Sequence, residues 1–314
     1  MDMRQLGTSG LATPRLVLGG NVFGWTAAGE EGFAILDRFV EAGGTMIDTA
    51  DVYSIWAPGH EGGESETFIG EWLRRRGKRD DVLIATKVGM LRGEGGAKLE
   101  PARIAAAAEA SIKRLGTHID LYYAHQDDEK TPLAETLAAF DALVKAGKVR
   151  ALGASNYSAR RLAEALAISQ REGLARYEVL QPEHNLMARD TYEGPLQQLC
   201  LDEAIGVLPY SGLASGFLTG KYRSERDFAK SVRGGRMAAC LTGKGRAVLA
   251  ALDEVAAEAG ATPAQIALAW LAAQPGVTAP IASATSRAQL DELLGVLTLD
   301  LSGEQIERLT SASA

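Results

Sequence analysis

The stretch DVLIATKVGMLRGEGGAKLEPARIAAAAEASIKRLGTHIDLYYAH, residues 81–125, decides the fold. It holds an apolar run at 81–87, a glycine-rich break, a helical stretch with Pro101 near its start, and a second apolar run at 119–125. A strand, a helix and a strand in this order predict two parallel strands joined by a right-handed crossover. The pattern extends in both directions. Further strand candidates stand at 15–18, 44–48, 149–155, 177–181, 206–211 and 277–283. Helical stretches separate them, among them EEGFAILDRFVEAGG (30–44), closed by glycines, and TPLAETLAAFDALVKAGK (131–148), opened by Thr-Pro and closed by Gly147.

Eight such units in 314 residues fit a closed (β/α)8 TIM barrel of the α/β class better than an open sheet. Two short runs around GTSG (7–10) predict a β-hairpin ahead of the barrel, and extra helices are expected near the C-terminus. Residues 1–314 are read as one domain. The longest irregular stretch, 211–244, is rich in glycine and cations, and a loop of that length inside a compact domain calls for a function or for mobility.

Composition excludes several classes. The net charge is −7, with 33 basic and 40 acidic residues mixed along the chain, and a nucleic-acid-binding protein needs a concentrated basic face. No signal-peptide pattern opens the chain and no apolar run spans a membrane, so a cytoplasmic protein is expected. Cys200 and Cys240 have no disulfide or zinc spacing, and the acids around His60 lack HExxH geometry, so no metal is expected.

In barrels the C-terminal strand ends carry the chemistry. Here those ends read Gly19-Gly20-Asn21, Asp48, Lys87, His125, Ser155-Asn156, Gln181, Tyr210-Ser211 and Ser283. One polar stop reads equally well as a cap or a boundary. Eight on one rim point to a site. Within it, Tyr53 is a phenol with an ordinary pKa near 10, too high for an efficient proton donor unless the phenolate is stabilised. An ammonium at about 4 Å contributes roughly 4 kcal/mol at an effective dielectric near 20, an upper bound of about 3 pKa units before desolvation and other neighbours are counted. Lys87 is that ammonium, Asp48 its counter-charge, and His125 a group to orient or polarise a carbonyl. Together they predict a proton-donor site for carbonyl chemistry.

At this point the sequence resembles the aldo-keto reductase superfamily from end to end. The resemblance rests on GGNVFG (19–24), IDTADVYS (47–54), ATKVG (85–89), IDLYYAH (119–125), GASNYS (153–158), LQPEHNL (180–186), YSGLASGFLTGKY (210–222) and APIASATSRAQLDE (279–292), all in order. It implies an oxidoreductase on a (β/α)8 barrel that reduces aldehydes and ketones to alcohols, by hydride transfer from nicotinamide C4 with Tyr53 as general acid. NADPH is the implied cofactor, with NADH as the alternative, and a small carbonyl compound the substrate.

By the same resemblance Gly20, Asn21, Ser155, Asn156 and Gln181 bind the cofactor near its reacting end, and Tyr210 stacks on the nicotinamide. Ser211, Leu213, Ser215, Gly216, Leu218 and Lys221 lie along the pyrophosphate. Ser283, Thr285, Arg287 and Gln289 stand at the adenosine end, with Lys221, Arg233 and Arg287 as partners for a 2′-phosphate. The chain carries neither GxGxxG after a strand nor GxxxxGK[ST]. It departs from the family pattern at Gly212, where proline is common, at His184 for tyrosine, at Ser283 for glycine and at Leu293 for asparagine; His184 is read as a packed neutral imidazole. Phe23, Trp25, Trp56, Met90 and Tyr157, in loops just after strand ends, are expected to wall a substrate pocket, Trp25 and Trp56 foremost. Two other readings stay open: a non-catalytic cofactor-sensing member of the same fold, and a barrel enzyme in which Lys87 forms a Schiff base.

Overall fold

The structure, a computed structural model, describes residues 2–230 and 234–314. Among these residues ten strands run β1 (Arg4–Gln5), β2 (Ala12–Thr13), β3 (Val17–Gly19), β4 (Met46–Asp48), β5 (Leu83–Val88), β6 (Ile119–Ala124), β7 (Val149–Ser155), β8 (Tyr177–Gln181), β9 (Gly206–Val207) and β10 (Ile281–Ala282). The helices are α1 (Gly29–Glu41), α2 (Glu64–Arg76), α3 (Pro101–Leu115), α4 (Leu133–Lys145), α5 (Ala159–Glu172), α6 (Pro195–Asp202), α7 (Gly243–Ala259), α8 (Pro263–Ala272), α9 (Arg287–Leu294) and α10 (Gly303–Ala312). Strands β3 to β10 form one parallel sheet in the order β10-β3-β4-β5-β6-β7-β8-β9. The ends of that order meet: Thr278 N–H donates to Val207 O at 2.8 Å and Ile281 N–H to Pro209 O at 2.9 Å. The sheet therefore curls into the (β/α)8 architecture.

The last two strands are much shorter than their apolar runs. Pro209 and Pro280 fall inside those runs and lack the N–H a ladder needs. Each still accepts through its carbonyl, Pro209 from Ile281 and Pro280 from Val17, so the seam is joined by bonds that ask nothing of the proline nitrogen.

The hairpin of β1 and β2 pairs Arg4 with Thr13 and Gln5 with Ala12. Its turn delivers Leu6 and Leu11 into the floor of the barrel, where they join Val17, Met46, Ala85, Leu121, Tyr123, Ala151, Val179, Leu208, Ala279 and Ile281 in one buried cluster. That cluster fills the lower interior and leaves only the upper mouth for polar groups. A larger core lies between the sheet and its ring of helices. Helices α7 and α10 are additions to the barrel, packed on α8 around Val248, Leu252, Trp270 and Leu309. The same cluster anchors Phe217, Leu218, Tyr222 and Met237. The irregular stretch after residue 211 is thus held by apolar side chains and coils into short 3-10 turns at Ala214–Thr219, Glu225–Lys230 and Gly234–Ala239. Cys200 is buried and Cys240 half-buried, both as free thiols.

Candidate active site

Period-two alternation aims the polar residues. On β4, Met46 and Asp48 share a face; on β5, Ala85 and Lys87; on β8, Val179 and Gln181. The lower member of each pair belongs to the interior apolar cluster, so the upper member faces the same way, at the mouth. Parallel register then sets the neighbours: Asp48 pairs with Ala85, Lys87 with Tyr123, Tyr123 with Gly153, and Ser155 with Gln181.

Lys87 is fully buried and its ammonium donates to Asp48 Oδ2 at 2.6 Å, Thr49 O at 2.7 Å and Tyr53 Oη at 3.3 Å. An ammonium has three N–H bonds, and all three are used. Asp48 accepts on its other oxygen as well, from Gln181 Nε2 at 2.9 Å. Burial alone would lower the Lys87 pKa, but the charges of Asp48 and Tyr53 outweigh it and the net direction is up. The Schiff-base reading loses its footing, since a nucleophilic lysine must be neutral and free to attack.

For Tyr53 the structure supplies the desolvation that the charge pairing alone leaves out. Burial raises its pKa, the Lys87 ammonium pulls it back down, Asp48 pushes it up, and the net lies above the ordinary phenol value. The phenol therefore stays protonated throughout the neutral range, and the cation offsets part of the cost of ionising it. His125 lies with its ring centroid 6.0 Å from that of Tyr53. Burial, then the Lys87 charge, lowers its pKa well below the usual imidazole range. Its ring is neutral, and its buried Nδ1 has no hydrogen-bond partner in the structure.

Polar groups continue around the rim. Asn156, held at a left-handed φ of 57°, donates to His125 O at 3.0 Å and to Ser155 Oγ at 3.1 Å, and accepts from the Tyr210 hydroxyl at 2.8 Å. Ser155 donates to Gln181 O at 2.8 Å. Burial pushes the Tyr210 hydroxyl up to about 12, so it stays a donor. Beyond it the backbone is left-handed at Ser211, Ala214, Ser215 and Gly216, a conformation non-glycine residues adopt only where the surroundings impose it. The Lys221 ammonium lies against this turn, 3.5 Å from where a Gly216 Cβ would be. A left-handed backbone turn with a cation beside it suits an anion such as a pyrophosphate. Gly212 has a local cause, because a Cβ there would stand 2.9 Å from the Leu268 side chain.

At the other end, Ser283 Oγ and Asn21 Oδ1 are 2.6 Å apart, and Gly19 leaves the space Ser283 occupies. Gln289 accepts from the backbone and hydroxyl of Thr285 at 2.9 and 3.0 Å. Glu31 takes the Arg287 backbone N–H at 3.0 Å and faces its guanidinium at 3.9 Å. Arg233 lies outside the described residues. Gly20 is pressed against Asp48 O, 2.9 Å from where its Cβ would be.

The aromatic residues divide. Trp25 and Trp56 meet edge to face at 5.9 Å, and Trp56, 45 % exposed, lies 5.6 Å from the Tyr53 ring. Ile55, next to Trp56, and Met90, two residues past the end of β5, are exposed apolar residues as well. Phe23 and Tyr157 depart from expectation: Phe23 is fully buried, stacked on Phe68 at 5.6 Å in the core behind the mouth, and Tyr157 is buried edge to face against Tyr177 in the same core. Leu218 is likewise buried in the outer core, so only its backbone remains to meet a ligand. His184 is packed between Tyr192 and Trp270, with its pKa lowered by burial. Among the described residues no group of acids, histidines and cysteines could hold a metal.

The model of the aldo/keto reductase family matches residues 15–314. The chain belongs to the aldo/keto reductase family. It is 33% identical to the uncharacterized oxidoreductase YrpG of Bacillus subtilis, over 98% of this chain and 95% of that protein. It is 33% identical to norsolorinic acid reductase B of Aspergillus parasiticus, over 93% of this chain and 77% of the other. A probable voltage-gated potassium channel subunit beta of Arabidopsis thaliana is also 33% identical, over 93% and 90%. This aldo/keto reductase is accordingly an NAD(P)H-dependent oxidoreductase on an α/β barrel. No helix among the described residues is long and apolar enough to cross a membrane.

Two features escaped the sequence reading. Gln181, expected only at the cofactor, also holds Asp48, a contact between residues 133 positions apart. Asp51 and Glu66 are fully buried acids behind the Tyr53 segment. The second acid of IDTAD was the one visible sign of them.

Proposed function

We propose that this aldo/keto reductase is a cytosolic, NADPH-dependent reductase of aldehydes and ketones, acting on small-molecule substrates, with Tyr53 as the general acid. One observation carries the reading: the Tyr53 hydroxyl touches an ammonium whose other two N–H bonds are fixed by Asp48 and Thr49.

The donor set fits a nicotinamide dinucleotide. Asn156, Ser155 and Tyr210 form one hydrogen-bonded rim beside the phenol, the left-handed turn and Lys221 suit the pyrophosphate, and Ser283, Thr285, Gln289 and Arg287 stand at the adenosine end. The bound cofactor supplies the hydride. Tyr53 holds a proton at its hydroxyl and releases it to the carbonyl oxygen as negative charge grows there. Lys87 stabilises the phenolate left behind, and Asp48 keeps Lys87 charged and aimed. Gln181 orients Asp48. Neutral His125 offers a ring N–H to the same carbonyl oxygen without competing as an acid. Trp25 and Trp56 hold the apolar side of the substrate and exclude water.

A non-catalytic sensor of the same fold would need the cofactor turn but no proton donor. The complete Tyr53, Lys87 and Asp48 linkage, buried at some energetic cost, favours turnover. Purified protein mixed with NADPH and a panel of aldehydes and ketones tests this through loss of the reduced nicotinamide absorbance. Turnover by wild type that persists undiminished in Tyr53→Phe would refute the assignment.

A further inference from the structure

Behind the Tyr53 segment lies a second ionic cluster that the proposed chemistry does not use. Asp51 is fully buried two residues before Tyr53, and its backbone N–H donates to Lys87 O at 3.2 Å. Arg103 of α3, 5 % exposed, donates to Asp51 Oδ2 at 3.2 Å. The same guanidinium donates to Leu91 O at 3.2 Å and Glu94 O at 3.3 Å, both in the loop that follows β5. Gly62 fits between Asp51 O and the Leu91 side chain, with no room for a Cβ. One arginine thus ties the segment carrying the phenol to the loop 89–98 that presents Met90 at the mouth. Asp51 Oδ1 is buried with no partner, as is the Tyr122 hydroxyl.

We propose that Asp51 and Arg103 are positioning residues that form a pH-dependent latch between the Tyr53 segment and the loop 89–98, closed when Asp51 is ionised and released when it is protonated. The groups acting on Asp51 are Arg103 and Arg114 of α3, Glu66 of α2 and the Tyr122 hydroxyl of β6. Burial and the Glu66 charge favour the protonated acid; Arg103 and Arg114 favour the carboxylate, and the balance places Asp51 at about 7. A protonated Asp51 no longer offers Arg103 a charge-assisted acceptor, and the loop loses the anchor behind its two carbonyl bonds. Only the kinetic part of the test rests on Tyr53 being the acid.

The test is amide hydrogen exchange of the free protein, read as protection factors in peptides covering 89–98. Going from about pH 8 to about pH 6, wild-type protection in that loop is expected to fall about tenfold, the loss of one charge-assisted bond. In Asp51→Asn it is expected to be low at both pH values, and in Arg103→Lys, which keeps a cation but loses the fork, low as well. In turnover the same transition appears in KM for the carbonyl substrate and is absent from Asp51→Asn. Wild-type protection in 89–98 that does not change with pH overturns the latch, whether or not either variant folds. Loss of all turnover in wild type would instead sink the catalytic reading while the exchange data still decide the latch.

Discussion

Replacing Lys87 by methionine keeps the stem and removes the charge, and the structure gives the size of the effect. At 3.3 Å and an effective dielectric of about 20, the ammonium attracts a full phenolate charge by roughly 5 kcal/mol. If about half that charge has developed on Tyr53 in the transition state, the barrier rises by about 2.5 kcal/mol, a slowing of roughly 70-fold. The substitution also leaves Asp48 buried without a counter-charge, which costs about 3–5 kcal/mol of stability. The double variant Asp48→Asn/Lys87→Met restores neutrality. The assay is single-turnover hydride transfer followed by nicotinamide absorbance, with cofactor fluorescence quenching to establish that the variants fold and bind. The double variant is expected to bind cofactor like wild type and to transfer hydride at least tens of times more slowly. A wild-type transfer rate in that folded, cofactor-bound variant would refute the role given to the ammonium.

Asp48→Asn alone is expected to leave cofactor affinity largely intact and slow reduction, because Lys87 keeps an acceptor but loses its counter-charge; an unchanged single-turnover rate would remove Asp48 from the mechanism. Glu31→Gln is expected to tighten NADPH relative to NADH in fluorescence titrations, since Glu31 now occupies the Arg287 N–H and repels a 2′-phosphate. Gly153→Ala places a Cβ 2.4 Å from the Tyr123 ring and is expected to cost about 1–3 kcal/mol in denaturant unfolding, with Tyr123→Leu restoring part of it. Asp51 moves from 3.8 to about 7 on folding, so between those values the native state holds a proton the unfolded chain has released. Wild-type stability should therefore fall relative to Asp51→Asn as pH rises through that window, by about 4 kcal/mol in full, at about 1.4 kcal/mol per pH unit. Parallel stability curves for the two proteins would contradict that placement of the proton.

The fold was legible because its signal is local. Each strand and each helix announces itself within a short window, and eight repeats of strand then helix leave few closed arrangements. The exceptions are local too: Pro209 and Pro280 lie inside the last two apolar runs, and without an N–H neither can extend the ladder those runs suggest. The rim residues were legible for a related reason, since a polar residue at the C-terminal end of an apolar strand has few structural excuses. Phe23 was misplaced because an aromatic just past a strand end faces the mouth or the helices, and nothing in GGNVFG says that Phe68 waits behind it.

The direction of the Tyr53 shift needed three dimensions. From sequence, the pairing of a phenol with an ammonium has only one sign, because the distance can be guessed while the desolvation cannot. In the fold, the barrel that brings Lys87 to 3.3 Å also removes the water that would have solvated the phenolate, and burial is the larger effect. The two come together here, since the lysine whose three N–H bonds are taken by protein is itself fully buried. In the proposed role of general acid, Tyr53 is therefore fully loaded at neutral pH but ionises reluctantly. Lys87 reduces that reluctance only as charge appears on the phenol oxygen. Such a contribution is small before proton transfer begins and grows with it, which is the condition for an interaction to accelerate a reaction rather than merely stabilise the resting site.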